Sequence, residues 1–182
     1  MKLFSIYKNK ESKNGVIYSG ILLLLGIVFL LNKFINLSFE VMFMIFLGVY
    51  GIVSLLKYFT YKDKKDYSNI YSFVVSLVLL IASLISKMDG FNKIIYLFIF
   101  SLVIALVKLK KADFYHDRKS KVWSIEVLSL IVFLINSFIC GVNLLYYNNA
   151  LVFAYYVFIL SIIEISDALI INISKGKLKW EK

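Results

Sequence analysis

Long uncharged stretches alternate along the chain with short charged interruptions. Residues 16–32, 41–56, 67–86, 94–107 and 127–163 contain no charged side chain. A bilayer core about 30 Å thick takes about 20 apolar helical residues per crossing. The first four stretches suit one crossing each. The last would run roughly 55 Å as a single helix at about 1.5 Å per residue. It has to fold back, and Tyr146-Tyr147-Asn148-Asn149 is the place, because Asn favours turns and Tyr prefers the membrane interface.

The pattern therefore predicts helices near residues 16–32, 38–59, 69–87, 91–109, 122–145 and 150–173. The expected fold is all-α, a polytopic membrane bundle of six transmembrane helices arranged as three hairpins, 16–66, 67–121 and 122–174. Residues 1–15 are read as a cytoplasmic basic N-terminal segment, 16–174 as the six-helix transmembrane domain, and 175–182 as a cytoplasmic basic tail. The hairpins are of similar length, but their residue-level identity is poor. The fourth helix is short, so Lys93 and Lys108 are expected to snorkel outward to the headgroups.

Composition agrees with this pattern. The chain of 182 residues is 61% apolar and 18% charged and contains no proline. Soluble domains are about half apolar and a quarter charged, and so small a globule could not bury the surplus. An ordinary soluble enzyme and a disordered chain are both excluded. The net charge of +10 invites a nucleic-acid reading until the lysines are placed. Eighteen Lys and Arg fall before helix one, after helices two and four, and in the tail, against three (Lys33, Lys87 and Lys93) in the other connections.

Basic short loops mark the cytoplasmic side, so both termini are expected there, in a multi-pass protein of the inner cell membrane. Separate loops without an aromatic platform do not make a nucleic-acid surface. Asp63, Asp66, Asp113 and Asp117 also interleave with these lysines. The expected partner is the bilayer with its anionic cytoplasmic leaflet, with a homo-oligomer as an open alternative to a monomer. Leu3, Phe4, Ile6 and Tyr7 among Lys2, Lys8 and Lys10 suit a short surface-lying amphipathic segment.

Asn32-Lys33-Phe34-Ile35-Asn36 after the first helix offers no small-residue cleavage site, so that helix is read as an uncleaved span. The lone Cys140 lies within a helix and reads as a small packing residue, with no disulfide or thiol metal site implied. The single His116 reads as a solvated loop residue and cannot build a metal centre alone. Ser72, Ser76, Ser83 and Ser86 share one face of the third helix, Gly48 and Gly51 mark the second, and Gly20 and Gly26 the first. Such faces let membrane helices approach closely, and the alternative is a polar pathway lined by serines.

Four acids lie in or near spans. Glu40 can reach headgroups from the outer end of its helix. Glu126 sits about one turn inside the fifth helix, on a stripe with Ser129, Asn136, Ser137 and Cys140. Glu164 and Asp167 are three residues apart and share a face of the sixth helix with Ser161 and Ala168. A carboxylate in the membrane costs at least about 2.5 kcal/mol, which makes Glu164, Asp167 and Glu126 the candidate functional residues. With Glu126 and Asp167 at comparable depth, one acid is expected to stay neutral at pH 7. The sharp reading is a proton-responsive or cation-binding site, and the plain one is acids hydrogen-bonded between helices. No paired histidine, phosphate loop or nucleophile elbow occurs, so no catalytic residue, cofactor or metal site is assigned and the chain is read as non-enzymatic.

The stretch from Gly20 through Gly26 to Asn32, followed by Leu47-Gly48-Val49-Tyr50-Gly51 and on to Lys57, resembles the HdeD-like family of small membrane proteins (the DUF308 group). Trp123 opening the fifth helix is similar as well. Asn32-Lys33 stands where that family usually has a proline. The resemblance implies six spans in three repeated hairpins, an inner-membrane location, a link to acid or other stress, and no catalytic residues to carry over. The alternative is a small-solute transporter or the substrate-binding membrane subunit of a vitamin importer. The absence of proline and of an evident pair of broken helices counts modestly against it.

Overall fold

The computed structural model of the chain describes residues 10–60, 67–86, 91–117, 122–147 and 150–178. The amphipathic segment at residues 3–7, the basic clusters at 62–65 and 118–121, Lys87 and the Asn148-Asn149 turn lie outside the described residues. Every described element is a helix: α1 Lys10–Leu30, α2 Asn32–Ile35, α3 Phe39–Thr60, α4 Ser68–Ile85, α5 Phe91–Asp117, α6 Val122–Tyr147 and α7 Ala150–Leu178. Without proline, nothing interrupts the i to i−4 ladder inside these apolar runs. Five of the helices, α3 to α7, are long and apolar enough to cross a membrane. The chain is a multi-pass helical membrane protein. The apolar part of α1, Gly15–Leu30, is shorter than the other five.

The helices alternate in direction. Tyr18 near the start of α1 shares a hydrogen bond with Thr60 at the end of α3 (3.1 Å), and Lys57 near that same end of α3 meets Glu164 midway along α7. At the opposite end Lys93, early in α5, lies 3.6 Å from Glu40, early in α3. Lys57, Lys108, Lys110 and Lys111 therefore gather at one end of the bundle, called here the lysine-rich end.

Apart from the short α2, each helix packs on the next in the chain, and α7 returns to α1 to close a ring. The most extensive contacts are α1 with α7, α3 with α4, and α5 with α6. The expected hairpins pair α1 with α3, α4 with α5, and α6 with α7, so the closest packing is offset by one helix from that division. A glycine stands at each close pair. A Cβ on Gly26 would lie 2.9 Å from the Phe158 backbone, while Gly51 faces Ser76 and Gly141 faces Phe98. Gly20 and Gly48 have open space instead and do not mark packing faces.

The serine face of α4 is buried in packing. Ser72 and Ser76 donate to the carbonyls of Ser68 and Ser72 (3.1 and 2.8 Å), so their hydroxyls are satisfied within their own helix. Ser86 shares a hydrogen bond with Tyr96 on α5. The turn between α1 and α3 is held by Asn32, whose amide donates to Leu37 O (3.0 Å) while its carbonyl accepts from Leu37 N (2.8 Å). Asn36 ends α2 at φ 56°, a left-handed conformation that Asn tolerates. Two asparagines thus make the turn between α1 and α3.

The half of the bundle away from the lysines has an aromatic centre. Phe153 on α7 packs against Phe29, Phe39, Phe43, Phe46 and Tyr156, with ring centroids 5.1–6.3 Å apart. Phe100 on α5 meets Phe46 and Tyr50 edge-on. Offset and edge contacts suit the aromatic quadrupole, and most of these rings are fully buried. Outside, residues such as Leu24, Ile52, Val78, Leu102 and Phe138 stay exposed, as a lipid-facing surface requires.

Candidate functional site

The aromatic layer ends near Tyr50, and below it, toward the lysine-rich end, the interior becomes charged. Each charged residue continues the buried stripe of its helix. On α3 the stripe Phe43, Phe46, Tyr50 and Val53 leads to Lys57. On α5 Leu97, Phe100 and Ile104 lead to Lys108, and on α7 Val157 and Leu160 lead to Glu164 and Asp167. Spacings of three and four keep these positions on one face, so the helix that buries the aromatics must also bury the charges.

The contacts form a continuous chain. Lys57 Nζ lies 2.8 Å from Glu164 Oε2, and Lys108 Nζ lies 3.4 Å from Glu164 Oε1. The same Lys108 ammonium donates to Asp167 Oδ2 at 2.6 Å. Ser129 on α6 also donates to Asp167 Oδ2 (3.2 Å) and lies 3.5 Å from Lys108 Nζ. Ser19 on α1 donates to the backbone carbonyl of Glu164 at 3.3 Å. Helices α1, α3, α5, α6 and α7 thus meet through one polar cluster. The side chains of Lys108 and Asp167 are only 5% and 4% exposed, so the pair is shielded from water.

Glu126 makes a second pair one turn away along α6. Lys111 Nζ sits 2.8 Å from Glu126 Oε1, yet neither carboxylate oxygen has an aligned hydrogen-bond partner among the described residues. Distance and angle disagree here, and the contact is best described as a charge pair. The Glu126 side chain is 2% exposed.

The structure brings Glu164 and Asp167 together and sets Glu126 beside them through Lys111. It also supplies what the residue pattern did not disclose, a lysine opposite every acid. Each of these charges would carry a desolvation cost of several kcal/mol if left unpaired inside the bundle, and the pairing offsets it. Three ammonium groups against three carboxylates make the cluster formally neutral with no bound proton.

Lys108 does not snorkel. It points inward, to Asp167 at 2.6 Å and Glu164 at 3.4 Å. Lys93 is half-withdrawn too, paired with Glu40 and lying 5.8 Å above the Phe39 ring. Lys57 and Lys111 likewise belong to the interior and not to the loops. The signal that could have identified Lys57 and Lys108 is their register, four residues beyond Val53 and Ile104 on the apolar faces. Asn136 donates to the Tyr156 carbonyl (3.1 Å), and Cys140 is buried on the same stripe. His116 is exposed and meets Trp123 edge-on.

No protein-family model, curated protein or solved structure matches this chain at a significant level.

Proposed function

We propose that the chain is a non-enzymatic six-span protein of the HdeD-like type, in the inner cell membrane with both termini cytoplasmic, serving acid or another stress response. In this reading the Lys57–Glu164–Lys108–Asp167–Ser129 chain is an ionic latch. It ties the cytoplasmic ends of α3, α5, α6 and α7 together, with Lys111 and Glu126 beside it. The observation that carries the latch is the sharing of one buried ammonium, Lys108, between two acids at 2.6 and 3.4 Å. A buried charge network is a weak way to add stability, since apolar side chains of similar volume do as well or better. Its presence buried between the helices is better accounted for by a change of state.

Removing the carboxylate charges of Glu164 and Asp167 by substitution would leave Lys57 and Lys108 unpaired in low dielectric and favour separation of the helices. The aromatic packing around Phe153 fills the place where a solute pocket open to the outside would lie, which counts against the importer-subunit alternative.

The test is a strain carrying Glu164→Gln with Asp167→Asn, assayed for survival and internal pH after acid shock. The expected outcome is loss of protection at matched protein abundance in the membrane. Unchanged survival and internal pH would sink the proposal.

A further inference from the structure

We infer that the seam between α4 and α5 at the lysine-rich end is a phosphate-ester site, occupied by the headgroup of an anionic lipid. A cavity of about 200 Å³ lies there. Tyr67, Ser68 and Tyr71 from the start of α4 form one wall, and Lys110 and Lys111 from α5 form the other, with Val107 and Phe114 as apolar borders. A water occupies about 30 Å³ of liquid and drug-sized pockets begin near 300 Å³, so the space suits a phosphate and its ester substituents.

The chemistry of the lining selects an anion. Among the described residues no acidic side chain borders the cavity, while two ammonium groups do. Lys111 is partly committed, because Glu126 stands behind it at 2.8 Å. Lys110 is exposed, and its Nζ lies 5.2 Å over the Tyr71 ring, so the ring holds the ammonium beside the opening. Tyr67 gives α4 no side-chain cap, so the positive end of that helix borders the same space.

Depth selects the lipid. Lys110 is eighteen residues beyond Asn92, where the apolar span of α5 begins. That distance is about 27 Å of helix, one hydrocarbon thickness, so Lys110 stands at headgroup level. Val74 and Val78 continue from Tyr71 along α4 toward the membrane centre, exposed at 48% and 58%, and give acyl chains an apolar track. Lys110 takes no part in the latch, so this site can exist whether or not the latch reading holds.

The experiment uses the full-length protein in phosphatidylcholine nanodiscs with and without phosphatidylglycerol, reading retained lipid by native mass spectrometry and Tm by thermal melt. Phosphatidylglycerol is expected to be retained and to raise Tm. Lys110→Gln should weaken retention about fivefold, the effect of one lysine charge near a membrane surface. Lys33→Gln, an exposed lysine at the other end, should leave retention as it was. Inorganic phosphate that raises Tm equally, and only with Lys110 present, supports the site and assigns it to a free phosphate ester. Equal retention by Lys110→Gln and the unaltered protein overturns the inference, and so does an equal loss in Lys33→Gln.

Discussion

Removing Lys108 should destabilise the bundle more than removing Lys57, although both are buried lysines paired with acids. Lys108→Met leaves Asp167 with a single described partner, the Ser129 hydroxyl at 3.2 Å, and takes one of two ammonium groups from Glu164. Breaking a buried pair from one side costs about 3–5 kcal/mol, because an uncompensated charge stays behind. Lys57→Met is milder, since Glu164 keeps Lys108 at 3.4 Å. The loss is then one charged hydrogen bond, about 2 kcal/mol.

A paired substitution separates charge from packing. Lys108→Met with Asp167→Leu removes both members of the closest pair, and Glu164 retains Lys57. This double variant should lie within about 1 kcal/mol of the unaltered protein. Reversible unfolding in mixed detergent micelles of rising SDS content, followed by tryptophan fluorescence, gives the free energies of Lys57→Met, Lys108→Met, Asp167→Leu and the double variant. The reasoning fails if Lys57→Met costs as much as Lys108→Met, or if the double variant costs the sum of its parts. Additivity would mean that the ammonium and the carboxylate do not sense each other, whatever their separation in the structure.

Other consequences are independent of the charges. Gly26→Ala should lower stability by about 1–3 kcal/mol, because the new Cβ meets the Phe158 backbone at 2.9 Å, whereas Gly20→Ala should be neutral in the same melt. Phe153→Ala should cost about 3–5 kcal/mol in the SDS titration by emptying the centre of the aromatic cluster, while Phe34→Ala, 82% exposed, should leave the curve unmoved. For orientation, an impermeant maleimide applied to intact cells should label Lys33→Cys and spare Asp113→Cys. The reverse pattern would overturn the cytoplasmic placement of the termini. Cys140 is buried and should give little background in that assay.

Helix placement was legible because lipid imposes a length on each apolar run and a helix satisfies its own backbone. The expected boundaries fall close to the observed ones for α3, α4 and α6. The ends of α5 and α7 ran on to Asp117 and Leu178, since a helix continues past the apolar region while propensity allows and nothing caps it. The acids stood out because each is costly in a membrane. Their lysines did not, because a lysine near a helix end reads equally well as a headgroup anchor.

The sequence by itself determined the solvent of this protein, the number of apolar runs and the candidate acids. Those properties are local, set by each residue's transfer energy and by helical spacing. Only the tertiary structure decided that Lys57, Lys108 and Lys111 turn inward, that α7 closes on α1, and that aromatics fill the opposite half. A lysine's direction depends on whether a carboxylate or a headgroup is nearer, and that distance exists only once helices distant in sequence are packed together.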